Sequence, residues 1–144
     1  MTEVDLVSGM PSPDLVRAFE SQVKDLPQVD LSTINLIHGR MCARTIFIPA
    51  GTVLTGVQTN IDNVCVVSGD ITVTTDAGAK RLTGFNVIPA KAGFKRAGIA
   101  HADTYWTTIH HTDLDDIKKI EAEMSDESQL LLANRIKEDL PCLG

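Results

Sequence analysis

An all-β core with helical segments at both ends is the fold class that three features of the sequence predict. Short segments rich in Val, Ile and Thr recur through residues 33–112, separated by turn-forming Gly, Asn and Asp. No stretch between them has the length and period of a helix, which argues against a parallel sheet joined by helical crossovers. Apolar residues take up helical spacing only near the two ends of the chain. Many short strands at close spacing suit a sandwich or a closed barrel.

The elements follow in order. Residues 1–32 read as an arm with one short helix in "SPDLVRAFESQV". Ser12 suits the N-cap, Pro13 the first helical position, and Asp14 the positive end of the helix dipole. Leu15, Val16, Phe19 and Val23 make its apolar stripe, and Pro27 ends it.

Strands are expected at residues 34–38, 41–48, 53–57, 64–67, 71–75, 80–82, 86–89, 95–99 and 104–110. The turns between them are expected at "HGR", "SGD", "DAGA" and "AHAD", where Gly supplies positive φ and Asp tolerates it. Residues 113–144 read as a helical extension. Thr112 or Asp113 is placed to cap "DLDDIKKIEAEM", whose Leu114, Ile117, Ile120 and Met124 share a face. Ser125 is placed to cap a second helix in "DESQLLLANRIKEDL", which Pro141 stops.

Composition bounds the function. The net charge of -6 argues against a nucleic-acid binder, which carries a basic face. No apolar run is long enough to span a bilayer as a helix, and "MTEVDLVSGMPSPD" lacks the pattern of a secretory signal. With aromatic residues at 4%, the core has to come from aliphatic side chains, and Trp106 is expected within it. Cys42, Cys65 and Cys142 are an odd set without a repeating spacing, so reduced thiols in a cytosolic or assembled protein are expected. Cys42 and Cys65 sit in apolar runs as small hydrophobes. Cys142 lies in the polar tail, where an intersubunit bridge is conceivable.

The stretches "IPAGTVLTG", "VSGDITV" and "VIPAKAGFKRAGIAHADTYWTTIH" resemble the cupin superfamily, and more narrowly the small cupin-like proteins of tailed bacteriophages. The resemblance covers roughly residues 40–112 and is most specific over residues 95–110. It implies a cupin-like jelly-roll barrel between the helical arm and the helical extension. In a metal-binding cupin, two histidines and a glutamate of the first hairpin join a histidine of the second around a divalent metal. Carried onto this chain, those slots fall on Val57, Thr59, Asp62 or Asn63, and Arg96. The phage relatives usually carry histidines near Thr59 and Asn63. Valine cannot ligate, and arginine keeps its proton and repels a cation. No metal and no cofactor are therefore expected.

The expected function is that of a non-enzymatic phage structural or accessory protein. It would be a homo-oligomeric virion component, such as a decoration, neck or tail element, in contact with other phage structural proteins. It would engage neither nucleic acid nor membrane. A second reading is a metal-free pocket for a small polar or anionic ligand. Its binding candidates are Thr59, Asn63 and Arg96, with His101 and Asp103 at the barrel mouth. The favoured reading of His101 and Asp103 is nonetheless a turn, with Asp103 bonding nearby amides. A third reading, a metal-dependent isomerase or dioxygenase, requires atypical ligands such as Asp62, His101 and Asp103.

Other features are weaker. His110 and His111 are adjacent in a strand, so their side chains diverge and cannot chelate one ion together. Lys80, Arg81, Lys91, Lys95 and Arg96 cluster in sequence and could form a basic patch facing a neighbour's acidic tail. No phosphate-binding Gly-rich loop and no nucleophile elbow are present.

Overall fold

The computed structural model describes residues 14, 16–18, 21, 31–75 and 77–126. The core is a curled antiparallel jelly roll. Its strands are β1 (Ser32–His38), β2 (Met41–Ile48), β3 (Val53–Thr55), β4 (Asn63–Thr75), β5 (Gly78–Ala90), β6 (Ala97–Ala100) and β7 (Thr104–His111). They are ordered β1-β2-β7-β4-β6-β3, and β5 pairs with β4 off this path. Helix α1 (Ile117–Met124) follows.

The β4–β5 hairpin corrects the expected element pattern. The segments 64–67 and 71–75 are one continuous strand, as are 80–82 and 86–89. "SGD" is therefore not a reversal of the chain. Gly69 pairs with Gly84 in mid-hairpin, both with positive φ (148° and 72°). Residues Val64–Ser68 of β4 pair with β7, whereas Ile71–Val73 pair with β6. The glycine pair thus marks the point where the hairpin passes from one half of the roll to the other. A Cβ at Gly69 would collide with Thr104 Oγ1 and the Asp103 carbonyl. Thr104 Oγ1 there accepts from the Asp70 amide at 3.1 Å.

The β1–β2 connection is the expected tight turn, with Gly39 and Arg40 both left-handed, as a two-residue hairpin loop requires. Arg40 is fixed by a 2.8 Å ion pair with Asp113. The core joins Ile48, Cys65, Val67, Ile71, Val73, Leu82, Ala100 and Trp106, so the aliphatic core, the buried Cys65 and the buried Trp106 match the expectation.

Of the arm, residues 14, 16–18 and 21 are helical, and Val16 packs against Ala97. Ser12, Pro13, Leu15, Phe19, Val23 and Pro27 lie outside the described residues. So do the second C-terminal helix beyond Asp126 and Cys142.

Helix α1 starts later than the caps expected for it. Thr112 Oγ1 accepts from the Leu114 amide and Asp113 is held by Arg40, so Asp116 becomes the N-cap, accepting from the Lys119 amide at 3.1 Å. Ile120 and Met124 are buried, as their spacing requires. Ser125 ends the helix. Its amide donates to the Glu121 carbonyl and its hydroxyl donates to the Gln58 carbonyl at 2.6 Å. The Asn60 amide donates to the Met124 carbonyl, so the end of α1 is seated on the loop after β3. Among the described residues no helix is long and apolar enough to cross a membrane.

Candidate functional site

The interior of the roll contains a cavity of about 140 Å³. Its walls are apolar: Ile46 and Ile48 from β2, Ile71 and Val73 from β4, and Trp106 from β7, with Met124 of α1 reaching in. Alternation along each strand sets this inner face. The same alternation turns Arg44, Asn63 and Thr108 inward, and Thr59 and Arg96 reach the cavity from the loops.

Three of the five residues expected to bind a ligand are brought together here: Thr59, Asn63 and Arg96. His101 and Asp103 are not among the lining. Ile71 and Val73 line the cavity, so Thr72 between them faces away, and the His101 ring is bonded to Thr72 Oγ1 at 2.7 Å. Asp103 accepts from the Ala50 amide at 2.9 Å, the backbone-bonding role that a turn aspartate takes. Asp62 likewise accepts from the Ala92 amide.

Loop geometry explains why the hairpin frame keeps its form with different residues in the slots. The Gly56 amide donates to the Arg96 carbonyl, the Thr59 amide to the Phe94 carbonyl, and the Gly93 amide to the Thr59 carbonyl at 2.7 Å. Lys95, only 1% exposed, donates to the Gly56 carbonyl. This backbone lacing does not depend on the slot side chains. It also breaks up the expected basic patch. Lys95 is buried, Arg96 lines the cavity, and Arg81 is bidentate to Asp70 at 2.9 and 2.8 Å.

Within the cavity, Arg96 is held in place. Its Nη1 donates to the Thr74 carbonyl at 2.9 Å, and its guanidinium lies 4.5 Å from the centre of the Phe94 ring. Burial pushes the Cys65 thiol above its ordinary range, while the Arg96 charge draws it partly back. Asn63 donates to the Ile61 carbonyl and accepts from Cys65 Sγ. Thr59 Oγ1 is buried with no hydrogen-bond partner among the described residues. The sequence reading missed Arg44. Its signal was the alternation of "MCARTIFI", in which Arg44 shares a parity with the apolar Cys42, Ile46 and Ile48.

This donor set does not fit the divalent metal of a cupin barrel. The slots hold Val57, Thr59, Asn63 and Arg96, and two guanidinium groups line the space an ion would occupy. Among the described residues no three His, Cys, Asp or Glu side chains converge, so Asp62, His101 and Asp103 do not form the alternative site either. His110 is buried, and burial holds its ring below the usual histidine range. Its neighbour His111 points outward, 3.6 Å from Asp113.

No family model and no curated protein matches the chain. Solved structures do. A cupin superfamily protein of Desulfitobacterium hafniense aligns with a TM-score of 0.50 at 14% identity, covering 62% of this chain and 84% of that one. KdgF of a Halomonas species aligns with a TM-score of 0.52 at 17% identity, covering 62% of this chain and 87% of that one. These likenesses establish the cupin jelly-roll fold.

Proposed function

We propose that this chain is a non-enzymatic binding protein whose cupin barrel holds a small organic anion in place of a metal. One observation carries the reading: the charged side chains lining the cavity are guanidinium groups, Arg44 and Arg96, set among aliphatic and aromatic walls. A guanidinium fork in an apolar cavity suits a carboxylate, whose hydrogen bonds there face little competition from water. The volume matches one small apolar body, since cavities near 150 Å³ accept a ring the size of benzene. The ligand class is therefore a compact carboxylate with an apolar portion. Arg96, already positioned by Thr74 and Phe94, takes the carboxylate, and the buried Thr59 hydroxyl and the Asn63 amide complete the polar contacts.

Native mass spectrometry of gently purified protein, followed by thermal shift with benzoate as the probe, tests this. The expected result is a bound organic mass or a benzoate-dependent rise in Tm, lost in Arg96→Met. Ligand at about a hundred times its Kd stabilises by about 2.7 kcal/mol, a readable shift. Stoichiometric divalent metal in the purified protein would overturn the reading and restore the enzymatic one.

The role of an oligomeric virion component, drawn from the phage resemblance, is the second reading. The broad uncharged outer face of the sheet supports it, as a surface made for contact with other subunits. Proteomics of purified phage particles tests it: the chain should be present at defined copy number.

A further inference from the structure

We infer that the outer face of the β1-β2-β7-β4-β5 sheet is a self-association surface that takes a second copy of this chain, face to face. This does not rest on the ligand reading. The register puts three rows of outward residues across five strands. One row runs Phe85, Ser68, Tyr105, Phe47, Ser32. The next runs Val87, Val66, Thr107, Thr45, Ile34, and the third Pro89, Val64, Ile109, Ala43, Leu36.

No residue in these rows is charged, although 22% of the chain is. None is buried, and Phe85 (71% exposed), Val87 (59%), Tyr105 (55%) and Val64 (42%) are wide open. Phe47 and Tyr105 pack ring to ring at 5.1 Å, which makes a rigid aromatic centre. Such a patch on a soluble chain marks a contact surface.

Size and charge select the occupant. Five strands at about 4.8 Å, three alternate residues deep at about 6.8 Å each, give on the order of 500 Å² of sheet face per copy. Two copies then bury about 1,000 Å² before side-chain relief is counted, the level at which specific interfaces begin. The chain carries a net charge of -6, so two copies repel except where they meet without charge. This face meets that condition. Of the charges that border it, Arg40 pairs with Asp113 and Arg81 with Asp70, while Asp62 and Lys91 stand exposed where β4 begins and β5 ends. Within the three rows a partner chosen by charge would find nothing to read. Sheet faces also stack readily on one another, at about 10 Å, as in β-sandwiches.

Analytical ultracentrifugation of the full chain tests the proposal. The wild type should sediment at twice the chain mass of 15.6 kDa at about 50 µM, within the affinity range such areas support. The double variant Phe85→Asp/Val87→Asp should be monomeric, with dissociation raised at least about 100-fold by the buried charges. Far-UV circular dichroism should be unchanged, since both side chains are exposed in the single copy. A monomeric wild type overturns the proposal, whether the chain's own terminal segments or another protein covers the face. A dimer that the double variant leaves intact overturns it as well.

Discussion

Each face of the β1-β2-β7-β4-β5 sheet carries some residues that an ordinary barrel puts on the other. Among its apolar side chains the inner face carries Asn35, Arg44, Asn63 and His110, three of them at least nine-tenths buried, while the three outer rows from Phe85 to Leu36 carry no charge. An antiparallel sheet with one solvated side normally puts polar residues outward and apolar residues inward. Buried polar groups cost stability unless they are bonded, and exposed Phe and Val gain the fold nothing. The fold alone explains neither face. Arg44 and Asn63 line the cavity of the proposed ligand site and the outer apolar groups form the proposed contact surface, and that contrast can be attacked experimentally.

The largest effect is expected where the two faces are defined, at the glycine pair of the hairpin. Gly69→Ala should cost about 4 kcal/mol in urea unfolding, from a collision with Thr104 and the Asp103 backbone added to a strained φ. Gly84→Ala meets nothing within 4 Å and should cost only about 1 kcal/mol, from its φ of 72°. Equal costs would mean that the bend is not where β4 changes partner.

That bend is also where the sequence was least legible. The alternation in "MCARTIFI" and "TYWTTIH" made β2 and β7 plain, and with them Trp106 and the buried Cys42. "SGD" was misleading because a glycine flanked by polar residues looks the same whether the chain reverses or only bends. Strand partners across β4 decide between the two, and they are distant in sequence. The candidate site divides in the same way. Thr59, Asn63 and Arg96 were reached through the cupin resemblance, whose ligand slots fall on them, and all three line the cavity. Arg44 stands in β2, outside the motif. His101 looked like a mouth residue because its bond to Thr72 comes from β4.

The next effect compares apolar residues on the two faces. Ile48→Ala should cost about 3 kcal/mol, the lost transfer energy plus an enlarged cavity, because its side chain is fully buried. Phe85→Ala should change the stability of the single copy by less than about 0.5 kcal/mol in dilute solution. A large loss from Phe85→Ala in a monomeric sample would mean that the outer face is covered within the chain, and the self-association surface would have to be abandoned.

The smallest effect sets two adjacent histidines against each other. His110 faces inward and is buried, with neither ring nitrogen bonded among the described residues, whereas His111 faces solvent. Burial lowers the His110 pKa, His111 adds to the lowering, and Glu123 opposes it. In the unfolded chain this histidine protonates at about pH 6.5, but in the folded chain it resists the proton. The unfolded state therefore binds more protons below that pH, so stability is complete above about pH 6.5 and falls as the pH drops. The paired Asp70 and Asp113 are held below the usual carboxylate range, so their contributions are lost only in stronger acid. Thermal melts between about pH 5 and 7 should show a slope in the wild type that His110→Phe flattens and His111→Phe keeps. If His110→Phe left the slope unchanged, the pH response would not come from the buried ring, and His110 would have to be bonded more fully than a buried neutral ring on the inner face.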